Sequence, residues 1–133
     1  MKSITPTIYE ALILLEVLKS YSETEPCHAT EISLNIRNEI MSKFPSITHP
    51  DFRFNLELNL DRIDVIDNAL VEYEENNMVD QSIFNSCVSE VESRFLGVLN
   101  NANYESLISS TVSDIYFCLS QRINAHREYF LFN

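Results

Sequence analysis

The sequence predicts a compact all-α bundle of about five helices, and three observations lead there. A single glycine among 133 residues leaves almost nothing for the φ > 0 turns that an all-β chain needs. Apolar residues make up 45% of the chain, enough for one core and one helical domain spanning 1–133. Through most of the chain those residues recur every three or four positions, the period of helices that bury one face.

Thr7-x-x-Glu10 is a capping box and opens the first helix, which ends near Glu23. Its apolar residues, from Ile8 through Leu18 to Tyr21, cover much of the circumference, so this helix is expected at the centre. Ser22-x-x-Glu25, Thr24 and Pro26 mark the second start, and Pro45 ends a helix built on Ala29, Ile32, Ile36, Ile40 and Phe44. The two prolines of PSITHP predict a loop.

From Asp51 two patterns compete. Phe52, Phe54, Leu56, Leu58 and Leu60 alternate like a strand, whereas Leu56, Leu60, Ile63, Ile66, Leu70 and Tyr73 share one helical face. The second run is longer, so a helix over 52–76 is expected, with a short strand at 52–58 as the alternative. Asn76-Asn77 stops that helix. Asp80 or Ser82 caps the fourth, which turns Phe84, Cys87, Val88, Val91, Phe95 and Val98 inward until Asn100, Asn101 and Asn103 break it. The fifth helix is expected over 104–128, with Leu107, Ile108, Thr111, Ile115, Cys118, Leu119 and Ile123 inward. Its serines, Ser106, Ser109, Ser110 and Ser113, form either a close-packing face or a solvated one. The aromatic tail YFLFN should dock on the body or on a partner.

Charge is the feature that bears on function. Residues 51–80 hold nine acids and two bases, a net of -7 out of the chain's -11. On a helix at 100° per residue, Glu57, Asp61, Asp64, Asn68, Glu72 and Glu75 fall within about 80° of one another, flanked by Asp67, Glu74 and Asp80. Like charges at i,i+3 or i,i+4 cost about 0.2–0.5 kcal/mol per pair, and in sequence only Arg62 lies close enough to relieve them. A charge run is often just a solvated face. A helix selected for solubility alone, however, intersperses Lys and Arg. The candidate partner-binding residues are therefore Glu57, Asp61, Asp64, Asp67, Glu72, Glu74 and Glu75, with Tyr73 as the adjacent aromatic anchor and Tyr104, Tyr116 and Tyr129 as further ones.

A net charge of -11 argues against nucleic-acid backbones and anionic membranes as partners. No cofactor or metal is expected. There is no Asp-x-Asp-x-Asp-Gly loop, His28, His49 and His126 have no zinc spacing with the cysteines, and one glycine, Gly97, excludes phosphate-cradling loops. Cys27, Cys87 and Cys118 read as buried free thiols, which fits a reducing compartment. With neither a signal-peptide pattern nor a long apolar run, the expected location is the cytoplasm.

Two partial resemblances follow from local patterns. Arg122-Ile-Asn-Ala-His126 puts both side chains on one helical face and resembles the Arg-x4-6-His motif of HEPN ribonucleases, small all-helical proteins, with a spacer of three residues. That resemblance implies RNA cleavage. In outline, a helix over 8–22, another over 26–44 and a third ending EENNMVD resemble a winged-helix core, which reads DNA with a basic third helix. Here the third helix is acidic, which implies protein contacts instead.

The expectation for function is a non-enzymatic, stoichiometric binder of a basic protein. An immunity protein or antitoxin covering a toxic nuclease is the first form of it. A phage-type nucleic-acid mimic, anti-restriction or anti-CRISPR, is the second, and a HEPN-like ribonuclease the third.

Overall fold

The computed structural model describes residues 2–25, 27–100 and 102–132, the side chain of Cys27 excepted. Among them are the five helices of the expected bundle and one small antiparallel sheet. In chain order these are β1 (Lys2–Ile4), α1 (Ile8–Thr24), α2 (Cys27–Lys43), β2 (Leu56–Leu58), α3 (Leu60–Asn76), α4 (Ile83–Arg94) and α5 (Ser109–Phe132). The predicted cap at Pro26 lies outside the described residues.

Helix α1 is the central element, as its sequence requires. The capping box is made: Thr7 N–H donates to Glu10 Oε1 at 2.9 Å, and Glu10 N–H to Thr7 Oγ1 at 3.1 Å. Ala11 through Leu15, Val17 and Leu18 are wholly buried, and α2, α3, α4 and α5 all pack on this helix. Each buried Leu, Ile or Val contributes about 1.5–3 kcal/mol, so a helix apolar on most sides is stable only when covered on most sides.

The expected helix over 52–76 is corrected in its first part, where the alternative strand prevails. Phe54, Leu56 and Leu58 are buried while Arg53, Asn55 and Glu57 are exposed. Strand β2 pairs with β1 in the register Lys2↔Leu58, Ser3↔Glu57 and Ile4↔Leu56. A helix would have sent alternate members of this apolar series to opposite faces, leaving half of them in water. The strand sends all of them to one side, where Phe54 meets Phe44 edge-on at 5.0 Å. Helix α3 starts only after Asn59, whose side chain accepts from Arg62 N–H at 2.8 Å.

After α3 the chain turns straight into α4, and no wing strand follows among the described residues. Ser82 occupies the N-cap position of α4 without a cap hydrogen bond from its hydroxyl. Asp80 accepts from both the backbone and the hydroxyl of Ser82, and these bonds hold its carboxyl below the usual carboxylate range. Helix α4 stops at Arg94, earlier than expected, in a turn where Gly97 adopts φ +81°.

Helix α5 departs from expectation in start, phase and end. A 3-10 turn at Tyr104–Ser106 precedes it, so Leu107 and Ile108 fall before its first residue and Ile108 is exposed. Its buried face is Val112, Tyr116, Leu119 and Ile123, and Cys118 is exposed. Burying Tyr116 is possible because its hydroxyl donates to the Leu70 carbonyl of α3. Ser113 Oγ donates to the Val79 carbonyl, while the other serines of that run remain exposed. The aromatic tail continues the helix instead of folding back: Phe130 is partly buried, whereas Leu131 and Phe132 are exposed.

A polar staple joins α1, α2 and α4 beside this core. The Arg37 guanidinium donates to the Leu15 carbonyl and forks onto both oxygens of Glu90 at 2.9 and 2.8 Å. Next to it, Glu16 Oε2 is buried without a hydrogen bond. Burial pushes the Glu16 pKa up, against the pull of Lys19 and Arg37 and with the push of Glu23 and Glu90. The folded chain thus holds this proton more tightly than the unfolded one, and stability is lost as pH rises through the folded pKa. We expect Glu16→Gln to gain on the parent in urea denaturation as pH is raised from 4 to 7, with the smallest difference at the acid end. A pH-independent difference would show that Glu16 ionises freely.

Candidate functional site

The expected acidic stripe is divided by the tertiary structure. Glu57 is corrected first: it lies on β2, exposed but off the helix. The acids that α3 itself carries run from Asp61 to Glu75, about 21 Å at 1.5 Å per residue. Arg62, expected to relieve them, instead reaches Glu39 of α2 at 3.0 Å and the Glu57 carbonyl.

The relief comes from α5. Arg127 forks across α3, donating to Asp64 Oδ1 at 2.6 Å through one nitrogen and to Asp67 Oδ2 through the other. Asp64 and Asp67 are three residues apart, so both carboxylates project toward the same neighbouring helix. Asp67 is buried and Asp64 half-buried, which makes this pair a structural clamp, not free surface. Tyr73 is also withdrawn from the surface at 9% exposure. Burial, followed by the charges of Glu16, Cys87 and Asp80, pushes its hydroxyl up to about 12. It is a core residue with no ring face offered to a partner.

Asp61, Glu74 and Glu75 remain exposed on α3, and none forms an ion pair among the described residues. Glu72 turns toward the end of α1, accepting from Thr24 Oγ1 at 2.7 Å. There it meets Glu25, whose pKa is raised by desolvation first, then by a hydrogen bond to the Glu72 carboxyl and by its charge. The two side chains crowd negative charge at the end of α1, where no Lys or Arg among the described residues pairs with either. Glu25 therefore belongs to the acidic face. Separated from Glu72 by 47 positions, it gave no sequence signal of this role.

Between α3 and α5 the acidic face borders a groove of about 340 Å³. Asp67, Val71 and Glu74, at i, i+4 and i+7, form the α3 wall. Phe117, Gln121 and Asn124, with the same spacing, form the α5 wall. Val71 is 49% exposed and Phe117 61%, so two sizeable apolar side chains lie open beside carboxylates. Phe117 is an anchor candidate missed at the sequence level, where its neighbours were assigned to the core in a different phase.

The Arg122–His126 pair does share a shallow pocket, with Lys2, Ala125 and Tyr129. Arg122 is held by Glu10 of α1 at 2.7 Å, and the Lys2 ammonium sits 4.0 Å from the Tyr129 ring centre. Burial, then Lys2 and Arg122, lower the His126 pKa. Tyr104 is partly buried against Phe84, and Tyr116 is in the core. Burial raises the Cys87 thiol to about 12, so it is not a thiolate at neutral pH. Among the described residues no three His, Cys, Asp or Glu side chains converge on a common metal position, and no helix is long and apolar enough to cross a membrane.

No protein-family model matches the chain, nor does a curated protein or a solved structure.

Proposed function

We propose that this protein is an acidic binding protein that occupies a cationic cleft on a partner, with an immunity or antitoxin role against a toxic nuclease as its specific form. The observation that carries this reading is the exposed, uncompensated set Asp61, Glu74 and Glu75 on α3. Arg62 of α3 and Arg127 of α5 are engaged by Glu39 and by Asp64 and Asp67 instead. Nuclease clefts are cationic because their substrates are polyanions, and the face from Asp61 to Glu75, about 21 Å long, with Glu74 beside it toward α5, matches such a cleft in sign.

The physics of such a complex has two parts. The field of the acidic face accelerates encounter, and a few well-packed side chains at its border hold the complex. We expect the association rate with a basic nuclease to fall about tenfold or more between low and physiological ionic strength, while the dissociation rate changes little. Stopped-flow association across a salt series measures this, and a salt-independent association rate would refute the reading. Competition by duplex DNA for the same effector, without any toxin-neutralising activity, would replace immunity by nucleic-acid mimicry.

A further inference from the structure

We infer that the groove between α3 and α5 receives an arginine side chain of the basic partner. This rests on the binding reading above and specifies its anchor. The groove has the composition such a side chain requires. Tyr116 and Val79 lie at its lining beside Val71, supplying apolar surface for an aliphatic stem. Phe117 offers a largely exposed ring on which a planar guanidinium can stack. Glu74 supplies a carboxylate with no ion pair among the described residues, and Ser120, Gln121 and Asn124 supply neutral acceptors. Among the described residues no Lys or Arg lines the groove.

The fold contains its own precedent for this recognition. One stretch of α3, Asp64 to Asp67, already holds the Arg127 guanidinium in a two-carboxylate fork. Val71 and Glu74 continue the same side of α3 toward its C-terminus. Charge selects among occupants. A second copy of this chain would bring another -11, so self-association through this acidic border is opposed. A purely apolar anchor would leave Glu74 without a counter-charge and desolvate it. A lysine would satisfy the carboxylate but lacks the flat face that Phe117 rewards and the five donors that the acceptor set can use.

The test is a titration of the isotope-labelled full chain with acetylated, amidated hexa-arginine and hexa-lysine, followed by amide NMR at about physiological ionic strength. Hexa-arginine should bind about three- to fivefold more tightly than hexa-lysine, with shifts centred on Val71, Phe117 and Asn124. Phe117→Ala should remove that preference by weakening hexa-arginine alone, Phe117→Tyr should keep it, and Glu74→Gln should weaken both peptides. Equal affinity for the two peptides, or a preference that survives Phe117→Ala, overturns the arginine pocket while the acidic-face reading stands. If neither peptide binds, both fall. Phe117 and Glu74 are exposed, and unchanged helical circular dichroism confirms that each variant is folded.

Discussion

Replacing Asp61, Glu74 and Glu75 together by lysine is expected to abolish neutralisation of a basic partner and leave the helical circular dichroism intact. The three are exposed and make no ion pair among the described residues; reversal loses the favourable first-turn position of Asp61 against the helix dipole and gains two cations, at 74 and 75, in the last turn. The same change removes like-charge crowding along α3, worth about 0.2–0.5 kcal/mol for each close pair, and the variant should melt no lower than the parent. Close charge pairs across an interface couple by about 1.5–7 kcal/mol, so even the low end, applied to three positions turned repulsive, predicts a loss of about 10³-fold or more in affinity. Titration calorimetry against the partner measures it. Undiminished affinity would remove α3 from the interface. Asp64 is left untouched in this variant because its partner is Arg127, and reversing it would confuse folding with binding.

Arg127→Ala is expected to be the most damaging single surface-proximal change to stability. It leaves Asp67, whose side chain is 11% exposed, without its counter-charge in the seam between α3 and α5. Breaking a fully buried pair costs about 3–5 kcal/mol. Arg127 is 28% exposed and Asp64 50%, so solvent screening lowers the expectation here to about 2–3 kcal/mol. Most of that cost is the stranded carboxylate. Asp67→Asn in the Arg127→Ala background should therefore recover a large part of it, and a denaturant double-mutant cycle reads the coupling directly. Strictly additive losses would mean that the clamp is ornamental. Because α5 supplies one wall of the groove, loosening this clamp should also weaken partner binding, although removing a cation from an acidic face would by charge alone strengthen it.

Several features of the site were legible in the amino-acid sequence. The excess of acid on α3 and its near lack of interspersed cations follow from counting charges along the chain. The stripe's true length did not follow, because a helix through Glu57 and a strand through Glu57 both satisfy local patterns. Pairing with β1, more than fifty positions earlier, selected the strand. Phe117 was missed for a related reason. Apolar residues surround much of α5, and its inward phase was set by a hydroxyl finding the Leu70 carbonyl of another helix.

The sequence by itself determined the helical class, the capped start and central place of α1, and the concentration of carboxylate on the third helix, because capping, glycine content and residue period act within a few positions along the chain. Only the tertiary structure decided which carboxylates are free. Arg127 takes two of them, Glu25 joins Glu72, and Tyr73 withdraws into the core. Ion pairing and burial depend on distances between elements brought together by packing, and no local pattern encodes which of nine cations will reach which of twenty acids.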